Sequence, residues 1–425
     1  MSEEAGEGFL NAFSRTKVGN DTIFSWWARY QSAVSEGHDA VNGTIGALLE
    51  DDGELAINKV VDKVVRGSPA IEISAYAPLK GLPQFLDLSK SLALGQYREE
   101  LEEIGLNITA TASPGGSGAL YLAAANFADR GDDVLLRDRY WGPYRGFLAG
   151  CDLGIATYPL LGDGNQSFVD LESLKNQLSN LCNKQSKVMS WLNDPAHNPT
   201  GLSLTSDDRY SVLTTFIQSS LENERVSHTL LIDAAYHLYA DEPHGWADTI
   251  SQILHDGISW PDNLLITFAI SLSKSHTIYG LRTGALVSLH PDKNVTDRIG
   301  TVMGVTGRQT WSATSRLAQY AVSQIHDDEK LGGEWSEECE RLQNILATRR
   351  NLFISECEKL SVPINPTHDG FFAWLECEDP VKVAEECARQ QVYLVPLTGG
   401  VRIGLCAIPT EHIPKVASAL SNSIN

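Results

Sequence analysis

Between residues 55 and 300, short apolar runs alternate with stretches long enough to be helices, and this rhythm limits the chain more than any single motif does. The runs include residues 133–137 (Asp-Val-Leu-Leu-Arg), 187–192 (Lys-Val-Met-Ser-Trp-Leu), 229–233 (Thr-Leu-Leu-Ile-Asp) and 264–268 (Leu-Leu-Ile-Thr-Phe). Strands joined by helix-length crossovers run parallel, because only a short hairpin reverses the chain at once. The expected fold class is therefore α/β, with a mostly parallel central sheet flanked by helices. After residue 305 the pattern turns helical (312–326, 334–360), and residues 370–375, 392–395 and 401–405 read as strands of a smaller α+β domain. The expected division is 1–54 (an arm with a helix at 22–30, joining the small domain), 55–325 (the large domain) and 326–425 (the small domain).

A net charge of −21 disfavours nucleic acid or an anionic membrane as the main partner. It leaves room for small anions, because screening confines surface charge to about 8 Å and buried arginines act locally. The cysteines at 151, 182, 339, 357, 377, 387 and 406 are scattered and form no CxxC pair, which points to reduced thiols and no zinc. Residues 1–8 are acidic and look like neither a signal nor a basic transit peptide, so a cytoplasmic setting is expected. No apolar run approaches the ~20 residues of a membrane helix.

Four segments could carry chemistry. Lys274 sits in Ser271-Leu-Ser-Lys-Ser-His, between the apolar runs 264–270 and 285–289. A desolvated lysine amine loses its proton more readily and suits Schiff-base chemistry; a solvated loop lysine is the alternative. Gly115-Gly-Ser-Gly118 precedes the helical pattern 121–128, where backbone N–H groups and the Ser117 hydroxyl could meet a phosphate. A plain glycine cap reads equally well, and neither a Walker loop nor GxSxG is present. Asp233 ends a strand, where parallel sheets bind ligands, or else caps a helix. In residues 193–201 (Asn-Asp-Pro-Ala-His-Asn-Pro-Thr-Gly), two prolines and a glycine fix a loop that would present Asn198 rigidly. His237, His244 and His276 match no metal-ligand spacing.

Taken in order, Asn-Pro-Thr-Gly at 198–201, Asp233-x-x-Tyr236 and Ser271-x-Ser-Lys274 followed by Arg282 closely resemble the fold-type I pyridoxal-phosphate aminotransferases, in particular the aspartate/aromatic branch. The resemblance covers about residues 20–410. It implies pyridoxal 5′-phosphate held as a Schiff base on Lys274, which would also shuttle the substrate's Cα proton. Asp233 would pair with the ring nitrogen, Asn198 and Tyr236 with the phenolic oxygen, and Trp141 would stack on the ring. Gly115, Gly116, Ser117, Ser271 and Arg282 would hold the phosphate, with Tyr76 reaching the phosphate of a neighbouring subunit. Arg402 would bind the substrate α-carboxylate and Gly46 would lie in the segment closing over it. Arg308 would grip a distal carboxylate across the dimer, although Ala-Thr-Ser stands where the family has an Asn-Pro-Pro-like stretch.

The implied activity is transfer of the amino group of aspartate or an aromatic amino acid to 2-oxoglutarate by a ping-pong reaction, in a homodimer with shared active sites. Its partners would be amino acids and 2-oxo acids. The family usually places histidines near Tyr144 and at the position of Asn193, so substrate preference and cofactor electronics are open to change here. A β-lyase or decarboxylase on the same scaffold is the alternative, and a non-catalytic binding protein is a third reading.

Overall fold

The strand Leu264–Ser271 is buried at every position, which explains why its sequence is continuously apolar where a half-exposed strand would alternate. It lies inside a seven-stranded sheet in the computed structural model, which describes residues 7–17, 19, 21–162 and 168–424. Across the sheet the order is Asn107–Ser113, Gly284–His290, Leu264–Ser271, Ser227–Asp233, Lys187–Asn193, Asp133–Arg137 and Gly154–Tyr158. Gly284–His290 runs antiparallel to both of its neighbours, and every other pair is parallel. The expected mostly parallel sheet is present, and helices cover both faces through two apolar clusters.

Register places the chemistry. Asn193 pairs with Asp233, and Asp233 with Ala269, so three strands end side by side. Gly284 pairs with both Ser113 and Ser271, which brings the start of the helix Gly115–Asn126 against Ser271. The glycines do not precede this helix as expected. They form its first turn, because Gly115 at φ 72° adopts a backbone that other residues reach with difficulty.

A second core joins Val41 to Phe353, Leu375, Val392, Val401 and Leu420. The three-stranded antiparallel sheet here runs Val395–Leu397, Gly400–Ile403, Ala373–Glu376. Val41–Asn42 pairs in parallel with Val392–Tyr393, so the N-terminal segment packs against the C-terminal one. The strand expected at 370–375 is shorter: Phe371 and Phe372 precede it and turn into the space between the two cores. The helix expected at 312–326 forms only from Arg316 to Asp327, because Ser315 caps its N-terminus. The helix Glu329–Lys359 passes from one core to the other, with Trp335 against the first and Phe353 in the second. Of the expected domains, residues 1–6, 18 and 20 of the arm, 163–167 of the large domain and 425 of the small domain lie outside the described residues. Among the described residues no helix is long and apolar enough to cross a membrane.

Candidate active site

The C-terminal ends of the central strands open into a cavity of about 340 Å³. Gly46, Gly116, Ser117, Trp141, Asn198, Asp233, Tyr236, Ser271, Lys274, Arg282 and Arg402 all line it. Eleven residues scattered from 46 to 402 in the sequence thus converge on one space. Open α/β sheets bind their ligands at this edge.

Lys274 lies in the short helix Leu272–Ser275 that continues the buried strand. Its Nζ donates to the Gly46 carbonyl at 2.6 Å and lies 4.7 Å from the centre of the Tyr279 ring. Protein surrounds the amine except on the cavity side. That desolvation lowers its pKa to about 8, with the Cys406 thiol opposing and the Arg282 and Arg402 charges reinforcing the shift. An amine tuned this way is deprotonated often enough near neutrality to act as nucleophile or base.

Asp233 ends its strand with its carboxylate buried, and burial raises its pKa to about 6. The Tyr144 hydroxyl donates to Oδ2 at 2.5 Å and the Ala235 N–H to Oδ1 at 3.1 Å, both favouring the ionised form. Asn198 Nδ2 donates to the Tyr236 hydroxyl at 3.3 Å, so these two polar groups face the cavity as a pair. Burial pushes the Tyr236 hydroxyl up, and it stays protonated as a donor.

The loop carrying Asn198 is held from behind by a buried network. Asp194 accepts from Arg209 Nε at 3.0 Å, Trp246 Nε1 at 2.8 Å and the Leu204 N–H at 2.7 Å. Gly201 at φ 72° closes the loop where a Cβ would come within 2.1 Å of the Phe372 carbonyl. The prolines and glycine visible in the sequence are therefore only part of the pinning.

At the far end of the cavity is an anion cradle. Arg282, itself at φ 52°, donates from Nη1 to Ser273 Oγ at 3.1 Å and to the Tyr279 carbonyl at 2.9 Å. Its guanidinium crosses the first turn of the glycine helix so closely that a Cβ on Gly115 would lie 2.6 Å from Nη2. Backbone N–H groups of that turn, the Ser117 and Ser271 hydroxyls and the arginine charge suit a phosphate.

Arg402 is 2% exposed, donates from Nη2 to the Thr44 carbonyl at 2.5 Å, and stacks its guanidinium 4.4 Å from the Phe372 ring centre. Its side chain lines the cavity, and a planar guanidinium there suits a ligand carboxylate.

Three expected site residues do not line the cavity within this chain: Gly115, which lies against the Arg282 guanidinium, Tyr76 and Arg308. Tyr76 is 88% exposed, and Arg308 lies on the surface near the end of the helix Lys293–Thr310, donating to Ser312 Oγ at 2.6 Å. Other lining residues gave no sequence signal of their own: Ser273, Tyr279 and Phe372, and Asp21, Ile23 and Phe24 of the arm. Ser273 sits inside the motif around Lys274 and could have been picked up there. The arm residues are close to Arg402 only through the fold. No cluster that could hold a metal ion occurs among the described residues.

The comparisons with known proteins agree with this geometry. The model of the family described as aminotransferase class I and II matches residues 39–420. The mitochondrial aspartate aminotransferase of Dictyostelium discoideum is 23% identical, with 94% of this chain and 93% of that protein covered. The aromatic-amino-acid aminotransferase of Paracoccus denitrificans is 27% identical, with 88% and 91% covered. Among solved structures, an aminotransferase from Anaerococcus prevotii superposes with a TM-score of 0.92 at 25% identity, covering 98% of this chain and 99% of its own. With a buried amine, an anion cradle and a carboxylate together in one cavity that suits pyridoxal phosphate, this chain belongs to the class I and II aminotransferases and is a pyridoxal-phosphate-dependent transaminase.

Proposed function

We propose that this aminotransferase moves the amino group of aspartate or an aromatic amino acid to 2-oxoglutarate in a ping-pong reaction. The observation that carries the reading is the cavity that Lys274 and Arg402 share, which sets an amine and a guanidinium around one space. Aspartate and aromatic-amino-acid aminotransferases stand among the relatives. The apolar lining from Ile23, Phe24, Trp141 and Phe372 supports an aromatic side chain in the same space.

When bound, pyridoxal phosphate supplies an aldehyde that condenses with amines and a protonated ring that accepts the electron pair left on Cα. Gly115, Gly116, Ser117, Ser271 and Arg282 would hold its phosphate, and Trp141 would cover one ring face. Asn198 and Tyr236 would bond its phenolic oxygen and Asp233 its ring nitrogen. Arg402 would fix the substrate α-carboxylate, which orients the Cα–H bond towards Lys274. The Lys274 amine, displaced by the substrate amine, would take the proton from Cα, and its pKa near 8 suits that task. Phe372 keeps the guanidinium of Arg402 in place from behind, and Gly46 closes the cavity opposite.

Tyr76 and Arg308, both exposed, would complete the active site of a second copy in a homodimer, Tyr76 at its phosphate and Arg308 at a distal carboxylate. The seven cysteines carry free thiols, which supports a reducing compartment such as the cytoplasm. The test is a half-reaction: glutamate added to the holoenzyme without a second substrate. One equivalent of 2-oxoglutarate per site with a change in visible absorbance is expected. Carbon dioxide, or ammonia with a 2-oxo acid, formed from the amino acids tried would replace this reading with a decarboxylase or β-lyase.

A further inference from the structure

Behind Asp233 a phenol and a carboxamide hold the carboxylate's position, and this arrangement bears on how the cofactor is tuned. The argument rests on the reading of Asp233 as partner of the ring nitrogen. Tyr144 opens the helix Tyr144–Gly150 and is 1% exposed. Its ring is held edge-on by Trp191 and Trp141, at centroid distances of 5.1 and 5.7 Å, and lies parallel to Tyr140 at 6.4 Å. From this aromatic wall its hydroxyl reaches Asp233 Oδ2 at 2.5 Å.

Asn193 secures the main chain on the other side. Its Nδ2 donates to the Asp233 carbonyl at 2.8 Å, and its Oδ1 accepts the Asn198 N–H at 2.6 Å. One amide thus ties the Asp233 strand end to the loop that presents Asn198. An imidazole at either position could titrate close to neutrality, whereas a phenol and a carboxamide do not. Burial and the adjacent Asp233 charge drive the Tyr144 phenol well up, and a carboxamide has no proton to lose. Among the described residues, the titratable groups that act on the carboxylate are Tyr144, through its hydrogen bond, and Tyr236 across the cavity.

We propose that Tyr144 is a positioning residue: its hydroxyl holds the Asp233 carboxylate ionised and aimed into the cavity, while Asn193 fixes the strand end that carries it. A phenol offers its proton to a carboxylate oxygen and so favours the charged form. An imidazole could exchange its own charge with the same carboxylate, and the ring nitrogen would then sense that titration.

Tyr144→Phe removes one oxygen and leaves the ring packing in place. In the holoenzyme, the variant is expected to lose the cofactor about tenfold faster and to lower kcat about tenfold with little change in KM. Its visible absorbance, titrated from acid to alkaline pH, is expected to show its acid-side transition at higher pH than in the parent enzyme, because the hydrogen bond that favours the ionised carboxylate is gone. An unchanged titration curve and unchanged cofactor retention would overturn the proposal. A second measurement separates the two ways it can fail. In the cofactor-free protein, Tyr144→Phe is expected to lower Tm in the parent background and not in Asp233→Ala, a coupling that a purely packing role for the ring would not produce. Coupling without any change in the chromophore overturns the reading of Asp233. No coupling overturns the Tyr144 contact itself.

Discussion

Lys274 is legible in sequence as a lysine between two core strands, but its tuning is not. The groups that set its pKa come from remote positions: Arg402, Cys406, and the Gly46 carbonyl that receives its Nζ. In the cofactor-free protein burial lowers the pKa of this amine to about 8, from the 10.5 of a free lysine side chain. A lowered lysine pKa means that the folded state binds fewer protons than the unfolded chain between about 8 and 10.5. Folding stability from this group therefore rises with pH across that window and carries a constant penalty below it. Lys274→Met is expected to stabilise the cofactor-free protein at neutral pH by about 1–2 kcal/mol, a value reduced because the amine faces a wet cavity. It should also flatten the rise above pH 8. Urea denaturation at several pH values measures both. Asp233 and Arg402 tell the same story as Lys274. The strand end suggested Asp233 and the family resemblance alone suggested Arg402, while the Tyr144 hydroxyl and the Thr44 carbonyl that hold them became visible only in three dimensions.

At the scale of elements, the βαβ rhythm gave the parallel sheet because fully buried strands leave continuous apolar runs. The small domain was less legible. Its strands are two to four residues long, too short for periodicity to mark their ends, and the Val41–Asn42 pairing spans most of the chain. The loop 193–201 reads as fixed from its prolines, yet its deepest anchor is Asp194. This carboxylate and Arg209 are each 1% exposed, and the carboxylate also takes the Trp246 and Leu204 N–H groups. Asp194→Ala would leave a buried guanidinium whose remaining ionic partner is the half-exposed Glu242. Such an uncompensated charge costs about 3–5 kcal/mol. A lowered denaturation midpoint is expected, with weaker cofactor retention because Asn198 loses its support. An unchanged midpoint would mean that Glu242 alone satisfies the arginine.

At the scale of the whole molecule, the cavity is complete for cofactor and α-carboxylate but contains neither Tyr76 nor Arg308. Their exposure in one chain is what a shared site requires. In the proposed homodimer they would reach the neighbouring cavity; the family resemblance named them, and a single chain does not bring them to its own. If Arg308 serves the neighbouring site, Lys274→Ala and Arg308→Ala subunits complement each other. A mixed dimer pairs the intact Lys274 of one subunit with the intact Arg308 of the other. Mixing the two inactive proteins is expected to restore activity towards dicarboxylates to about a quarter of the parent level, for a statistical mixture with one working site per hybrid. Lys274→Ala mixed with Arg402→Ala should restore none, since both residues serve the same chain's cavity. Activity regained in the second mixture would contradict the assignment of Arg402.

The proposed role of Lys274 as the residue that carries the cofactor can be tested by trapping the bond itself. Borohydride reduction of the holoenzyme fixes the lysine–cofactor bond, and proteolysis with mass spectrometry then locates it. The expected result is a single modified peptide containing Lys274 and none from a protein first exposed to excess glutamate. Modification at another lysine, or a peptide containing Lys274 that stays unmodified while the protein absorbs visible light, would contradict it.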